Sequence, residues 1–303
     1  MRVAIFGTGG VGGYFGARLA AAGNDVHFIA RGAHLAAIRE RGLQVESPLG
    51  NVAIRPARAH EDTAGIGPVD IVIFAVKLWD AASAAAKLEP VLLPETAVIP
   101  FQNGIEAPGV VAGVIGAQHL LGGVAYIATG IRAPGIIAHT GTMARMQIGK
   151  TPGAASSRFA EACRAAGVQI EVSEDIDRAR WEKFVFLSAL SGVTSLARKD
   201  VGACRADPGL RAMLETAMRE AWALGRSRGV ALAEDFVAER MRFIDGLHGH
   251  MRTSMQHDLE QGNRLEAPWL CGAVARMSDQ AGLAAPVSRK IFAALQPYVD
   301  GRR

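Results

Sequence analysis

The chain has 303 residues, half of them hydrophobic, with a formal net charge of +4 and a calculated pI of about 9.2. No apolar run approaches the roughly 18 residues that a membrane-spanning helix needs. No basic run interleaved with aromatic residues indicates nucleic-acid binding. The length suffices for two domains, and the mild positive charge favours a small anionic ligand over a membrane or a nucleic acid.

Cysteine and histidine usage argues against disulfides and against a metal site. Cys163, Cys204 and Cys271 lie far apart, and the eight histidines are scattered along the chain. An odd, dispersed set of cysteines is typical of reduced, buried thiols. We therefore expect a cytoplasmic protein that holds no metal ion.

The first half of the chain alternates strand and helix signals. Strands are predicted at 2–6, 25–30, 69–76, 96–101 and 168–172, and helices at 10–22, 33–41, 79–88 and 156–166. A β-hairpin is predicted between 43–47 and 51–57, and further strand signals occur in 120–130 and 135–149. The strand at 69–76 is almost continuously apolar, as in parallel sheets buried on both faces. This order predicts an α/β, Rossmann-type, doubly wound domain over residues 1–173.

From Asp175 onward the pattern is almost entirely helical. Helices are predicted at 175–196, 207–228, 232–247, 253–261, 264–281 and 287–298. Asp207-Pro208, and Thr253 with Gln256, are helix-start signals. The pattern predicts an all-α domain over residues 174–303. Its apolar faces exceed what one short bundle buries, so a homodimer through this domain is a further hypothesis.

A glycine-rich loop joins the first strand to the first helix. The loop consists of Gly7, Thr8, Gly9, Gly10, Val11 and Gly12 and fits the pattern G-x-G-x-x-G. In dinucleotide-binding folds the first glycine makes the tight turn, the second admits the pyrophosphate, and the third packs helix on strand. The alternative is a turn without a ligand. The flanking strand and helix favour a bound dinucleotide at the helix N-terminus.

The end of the second strand bears on which dinucleotide binds. Sites for NAD or FAD usually place an acidic residue there, whereas this strand ends in Ile29, Ala30 and Arg31. An arginine pairs with the 2′-phosphate of NADP(H). The sequence therefore predicts NADPH, with an ordinary surface charge at Arg31 as the alternative.

Two polar residues follow predicted strands. Lys77 comes directly after the strand at 69–76, and Asn103 lies in Gln102-Asn103-Gly104 after the strand at 96–101. The carboxyl ends of parallel strands are where such sheets bind ligands. Asn-Gly is also a common turn, but two polar residues at two strand ends favour a functional role.

Lys183 lies on a predicted helix among large apolar residues. Leu187 and Ser191 share its face, because they follow at i+4 and i+8. Burial disfavours an ammonium ion and lowers its pKa, which suits a general acid. The alternative is a lysine whose ammonium reaches solvent while its stem is buried.

Together these residues resemble the ketopantoate reductase (2-dehydropantoate 2-reductase) family along essentially the whole chain. The resemblance is carried by the glycine loop, Arg31, "AVK" at 75–77, "QNG" at 102–104, "WEK" at 181–183 and "TSMQHDLEQGNRLE" at 253–266. It implies NADPH-dependent reduction of a 2-oxo acid to a 2-hydroxy acid on the pathway to pantothenate.

The resemblance also implies roles for individual residues. Lys183 would be the general acid, Glu266 would lie beside it and the substrate, Asn103 would align cofactor and substrate, and Ser254 would bind the substrate carboxylate. The glycine loop, Arg31, Lys77 and Asn103 would hold the cofactor. Glu266 and Ser254 also have structural interpretations: Asn263 and Glu266 fit a helix start, and Ser254 fits the first position of a helix beside Thr253.

Three positions depart from the family pattern. The family typically carries asparagine where this chain has Leu187, Ser191 and Met251. Each neutral hydrogen bond lost costs roughly 0.5–1.5 kcal/mol. Ketopantoate held by other groups and a less polar 2-oxo acid or other carbonyl compound therefore both stay open. A non-catalytic NADPH sensor and a 3-hydroxyacid dehydrogenase are weaker alternatives.

Overall fold

The fold was analysed in a computed structural model that describes residues 1–151 and 153–302. The chain divides into two compact units. The first consists of Met1–Gln102 and Glu106–Ile176, and the second of Asn103–Ile105 together with the chain from Asp177 onward. The short segment Asn103–Ile105 therefore belongs to the second unit, although it directly follows a strand of the first.

The first unit contains the ten strands found in the described residues. They are β1 Arg2–Phe6, β2 Asp25–Ile29, β3 Leu43–Glu46, β4 Val52–Ile54, β5 Arg58–His60, β6 Ile71–Phe74, β7 Ala97–Pro100, β8 Gly123–Ala133, β9 Ile136–Ile148 and β10 Gln169–Val172. Its helices are α1 Gly10–Ala21, α2 Gly32–Arg41, α3 Ala81–Ala85, α4 Ala107–Ile115 and α5 Ala155–Ala165.

A five-stranded, all-parallel sheet has the order β5-β2-β1-β6-β7. All four residues of β6 are buried, as the apolar run at 69–76 predicted, and all four residues of β7 are buried as well. The strand order reverses beside β1, as in Rossmann folds, where ligands bind at the carboxyl ends of the strands. The predicted fold class is confirmed.

A second, mixed sheet was not foreseen as a separate layer. Its order is β10-β9-β3-β4, and β8 forms a long antiparallel hairpin with β9. The predicted hairpin of β3 and β4 is confirmed. The sequence interpretation missed β5, which has only three residues, and α4, whose glycines lower helix propensity. The predicted helix at 79–88 is a 3₁₀ turn followed by the short α3.

The second unit is built from helices around an apolar core. They are α6 Ile176–Ala197, α7 Val201–Ala206, α8 Pro208–Ser227, α9 Phe236–Gly246, α10 Ser254–Gln261, α11 Cys271–Gln280 and α12 Pro286–Leu295. Asp207 caps α8 by accepting from the N–H groups of Gly209 and Leu210, and Thr253 caps α10 by accepting from that of Gln256. Both predicted helix starts are confirmed.

The single helix predicted at 264–281 is wrong. Ala267–Trp269 form a 3₁₀ turn, and Leu270 leaves helical geometry with φ −112° and ψ −103° before α11 begins at Cys271. Pro268 has no N–H to continue a preceding helix. Glu266 consequently lies in an irregular segment rather than on a helix.

The three thiols are free and buried, and burial raises the pKa of Cys163 and of Cys271 to about 12. Within 1–151 and 153–302, no cluster of three or more His, Cys, Asp or Glu side chains is placed to hold a metal ion. No helix in that part of the chain combines the length and the apolar character needed to cross a membrane.

Candidate functional site

The glycine loop, residues 7–12, is tied to the end of β2 by its first two residues. The N–H groups of Gly7 and Thr8 donate to the carbonyl oxygen of Ile29 over 3.3 and 3.0 Å. The hydroxyl of Thr8 donates to the same oxygen over 3.0 Å and is buried. The Thr8 side chain therefore holds the loop, and any ligand contact at this position falls to its backbone.

The three motif glycines differ in their surroundings, as the pattern predicts. Gly7 has φ +101°, and a Cβ there would lie 2.7 Å from the backbone of Ala75. A Cβ on Gly12 would lie 2.3 Å from the carbonyl oxygen of Gly7. A Cβ on Gly9 would meet nothing within 4 Å. Gly7 and Gly12 thus allow the turn and the packing, while Gly9 borders open space where a pyrophosphate fits.

The N-terminus of α1 completes this cradle. The helix begins at Gly10 after the N-cap Gly9, and no side chain caps it. Its first N–H groups and the positive end of its dipole favour a bound anion. The residues present therefore fit the diphosphate of a dinucleotide.

Arg31 has an acidic partner that the end of β2 does not supply. Its Nη2 atom lies 2.8 Å from Oδ2 of Asp80, a residue that follows β6. The side chain of Arg31 is 73% exposed, and that of Asp80 is 34% exposed. Lys77 also follows β6, and its ammonium stands over the ring of Trp79, 5.5 Å from the ring centre. The sequence reasoning missed Asp80 because it considered only the end of β2.

Gln102 is a second residue that the sequence reasoning left without a role. Its amide nitrogen donates to the carbonyl oxygens of Phe74 and Val76 over 3.2 and 3.0 Å. Its Oε1 atom is buried and has no hydrogen-bond partner among the described residues. Through its two donated bonds, Gln102 ties the segment after β7 to the end of β6.

In the second unit, three of the predicted residues form a hydrogen-bonded group that we call the amide-bridged site: Lys183, Asn103 and Glu266. The Nζ atom of Lys183 donates to Oδ1 of Asn103 over 3.0 Å. The Nδ2 atom of Asn103 donates to Oε2 of Glu266 over 3.3 Å. The asparagine amide thus joins a cation donor to a carboxylate acceptor.

The segment that carries Asn103 is held in place on both sides. Nη2 of Arg180, one turn before Lys183 on α6, donates to the carbonyl oxygen of Ile105 over 2.7 Å. Gly104 has φ +89°, and a Cβ there would lie 2.9 Å from the carbonyl oxygen of Trp269. A side chain at this position would push the segment away, so the glycine of "QNG" allows the close approach.

Burial governs the charge of Lys183. It lowers the pKa of this ammonium to about 8, against the opposing effect of the Glu266 carboxylate. Trp181 and Phe184 are buried on the same helix. Because its Nζ bonds to Asn103, the interpretation of Lys183 as an ordinary solvent-reaching lysine is not favoured. An ammonium with this pKa is charged at pH 7 and releases its proton readily.

The helix-start interpretation of Glu266 is wrong. No helix begins at 264, and the side-chain amide of Asn263 donates to Asp258. Glu266 precedes the 3₁₀ turn without capping it, and only 5% of its surface is exposed. The buried carboxylate is bonded to the side chain of Asn103 and not to a helix N-terminus.

The other four predicted substrate residues differ in their exposure and in whether their polar groups are already hydrogen-bonded. Leu187, one turn after Lys183, is half-buried, and the hydroxyl of Ser191 is bonded 2.5 Å from the carbonyl oxygen of Leu187 within α6. Met251 is 37% exposed. Ser254 is exposed at the first position of α10, which agrees with its structural interpretation.

Comparison with known proteins identifies the family of this chain. The family model described as Ketopantoate reductase PanE/ApbA matches residues 3–153, and its C-terminal counterpart matches 175–299. The 2-dehydropantoate 2-reductase of Mesorhizobium japonicum is 33% identical over 91% of this chain and 91% of its own. The uncharacterized oxidoreductase YkpB of Bacillus subtilis is 30% identical over 98% of this chain and 99% of its own.

A solved structure gives the same result. The crystal structure of a PanE/ApbA family ketopantoate reductase from Ralstonia eutropha JMP134 superposes with a TM-score of 0.90 at 31% identity, covering 98% of each chain. The family models together span both units and every residue of the amide-bridged site. This chain therefore belongs to the ketopantoate reductase family of oxidoreductases, as its sequence motifs indicated.

Proposed function

We propose that this protein reduces 2-dehydropantoate (ketopantoate) to pantoate with NADPH. The observation that carries the proposal is the amide-bridged site, in which the ammonium of Lys183 is hydrogen-bonded to Asn103 and its pKa is lowered to about 8. The names of its relatives, among them the reductase of Mesorhizobium japonicum, support the same substrate.

Lys183 acts as the general acid. NADPH, when bound, would supply a hydride to the carbonyl carbon of the 2-oxo acid. The carbonyl oxygen takes a proton from Nζ of Lys183, so the product is a 2-hydroxy acid and the lysine is left neutral. An ammonium that is desolvated by burial gives up its proton more easily than an exposed lysine does.

Asn103 positions the ammonium of Lys183, and Glu266 keeps it protonated. Asn103 accepts from Nζ of Lys183, which aims the ammonium, and its own amide nitrogen is held by Glu266. The carboxylate of Glu266 opposes the effect of burial and keeps Lys183 protonated at neutral pH. Glu266 is also an acceptor for a substrate hydroxyl.

Binding of NADPH falls to the first unit. The backbone of the glycine loop and the N-terminus of α1 receive the diphosphate. Arg31 receives the 2′-phosphate, and Lys77 adds positive charge nearby. The carboxylate end of the substrate is assigned to Ser254, as the family resemblance implies.

A less polar 2-oxo acid is the second candidate substrate. The observation that favours it is the face of α6 after Lys183. Leu187 presents an alkyl side chain there, and the hydroxyl of Ser191 is already bonded within the helix. Such a face binds alkyl groups better than it binds the hydroxyl and carboxylate groups of ketopantoate.

A steady-state assay with purified protein tests these proposals. Oxidation of NADPH is followed with ketopantoate and with bulkier, less polar 2-oxo acids, for the wild type, Lys183→Ala and Lys290→Ala, an exposed lysine on α12. We expect turnover of ketopantoate that Lys183→Ala abolishes and Lys290→Ala retains. Turnover only of apolar substrates supports the second candidate. NADPH binding without turnover of any substrate refutes both and supports a sensor.

We further infer that the protein works in the cytoplasm as a homodimer formed through its helical unit. The three cysteines are free and buried, as is typical of proteins in a reducing compartment, and Phe243 and Tyr298 expose 41% and 44% of their surfaces on this unit. Light scattering on the purified protein should give twice the mass of one chain. The mass of a single chain at micromolar concentration would refute the dimer.

A further inference from the structure

An acidic residue reaches Arg31 from a different strand. Arg31 follows β2, Asp80 follows β6, and β1 lies between these two strands in the sheet. The guanidinium and the carboxylate nevertheless meet over 2.8 Å. The region that receives the nucleotide ribose in such folds therefore holds both a guanidinium and a carboxylate.

The carboxylate of Asp80 is directed to Arg31 and not to its own helix. Asp80 ends the 3₁₀ turn Leu78–Asp80 and directly precedes α3, and its side chain caps neither. Arg31 directly precedes α2, and its guanidinium carries only donors. The contact with Arg31 therefore orients the Asp80 carboxylate.

The two partners have opposite effects on a dinucleotide. An arginine at this place attracts the 2′-phosphate of NADPH, whereas a carboxylate accepts a hydrogen bond from the free 2′-hydroxyl of NADH and repels a phosphate. An exposed ion pair of this kind is weak and is screened by salt, so a 2′-phosphate is able to displace the carboxylate from Arg31.

We propose that Asp80 is a specificity-determining residue of the nucleotide site, which competes with the 2′-phosphate for Arg31 and accepts the 2′-hydroxyl of NADH. Arg31 then raises the preference for NADPH over NADH and Asp80 lowers it, so that the preference stays small in the wild type. This inference rests on the proposed nicotinamide-dependent function and extends it to the choice of cofactor.

Binding titrations measure this preference without catalysis. Dissociation constants for NADPH and NADH, which differ only in the 2′-phosphate, are obtained from nicotinamide fluorescence or calorimetry. The variants are Asp80→Asn, Asp80→Ser and Arg31→Gln. Glu89→Gln is the matched control, because Glu89 is exposed shortly after α3 and loses the same charge.

For Asp80→Asn we expect NADPH to bind about tenfold tighter, since one negative charge near a phosphate of about −2 is removed. NADH should bind to Asp80→Asn as tightly as to the wild type or more weakly. Arg31→Gln should have the opposite effect and leave Asp80 without its cation, so that NADPH binds more weakly than NADH. Glu89→Gln should leave their ratio within about twofold. Asp80→Ser repeats the test in case Asp80→Asn does not fold.

Three outcomes overturn the inference. The first is that Asp80→Asn and Asp80→Ser both change the ratio of the NADPH and NADH dissociation constants by less than twofold from the wild type. The second is a shift of equal size in Glu89→Gln, because that would show a general charge effect. The third is a wild type that binds neither nucleotide, and this result alone also removes the proposed function.

Discussion

Replacing Glu266 with glutamine should move the pH range in which the protein is active. The carboxylate of Glu266 raises the pKa of Lys183, in opposition to burial, and the balance gives about 8. Glutamine keeps the size of the side chain and an oxygen acceptor for Asn103 but removes the charge. The pKa of Lys183 should therefore fall in this variant.

The size of the shift follows from the two hydrogen bonds that join the groups. Contacts of 3.0 and 3.3 Å on either side of one amide bring the carboxylate close enough to the ammonium to raise its pKa. Opposite charges roughly 6 Å apart attract by about 2.8 kcal/mol at an effective dielectric constant of about 20, which corresponds to about two pKa units. Removing the charge of Glu266 should thus lower the pKa of Lys183 by about one unit or more.

The rate of reduction is the assay for this shift. A general acid works only while it is protonated, so activity is present below its pKa and is lost as the pH rises through it. In the wild type kcat should fall as the pH passes about 8, and in Glu266→Gln the same fall should occur about one unit or more lower. Glu260→Gln, a half-buried acid on α10, is the control and should keep the wild-type profile.

One result would refute the reasoning. If kcat of Glu266→Gln falls at the same pH as that of the wild type, the charge of Glu266 does not act on Lys183. A raised KM, with kcat and its midpoint unchanged, would assign Glu266 to substrate binding alone.

Further predictions concern stability, the glycine loop and the substrate. Because the pKa of Lys183 is lowered from 10.5 to about 8 in the folded protein, its burial costs stability in full below pH 8, and this cost disappears as the pH rises to about 10.5. At pH 7, Lys183→Met should therefore have a free energy of unfolding about 1–2 kcal/mol higher than that of the wild type, since the side chain is half-buried, and it should melt at a higher temperature. In thermal melts above about pH 10 this gain in stability should disappear. The variant should not reduce ketopantoate. Gly12→Ala should lower the melting temperature strongly, because its Cβ would lie 2.3 Å from the carbonyl oxygen of Gly7. Gly9→Ala, whose Cβ meets nothing, should melt like the wild type yet bind NADPH at least tenfold more weakly in a fluorescence titration, and equal binding would contradict the pyrophosphate site. Leu187→Asn should raise kcat/KM for ketopantoate by about tenfold through one restored hydrogen bond, and a fall instead would favour the less polar substrate.

Local patterns in the sequence were sufficient for the alternation of strands and helices, the glycine loop and the family. Such features depend on neighbouring residues: β6 is an unbroken apolar run, Gly7 and Gly12 are required by the turn itself, and Asp207 caps the helix that it precedes. Burial of Lys183 could also be predicted, since its apolar neighbours lie on the same helix.

Contacts between distant residues were decided only by the tertiary structure. Asn103 could be predicted at a strand end. Its place between Lys183 and Glu266 could not, because these residues are separated from it by 80 and 163 positions in the sequence. The meeting of Arg31 and Asp80 spans 49 residues and depends on the order of strands in the sheet. No local pattern encodes such a pair, because hydrophobic periodicity fixes which face of an element is buried and not which polar side chains meet at its end.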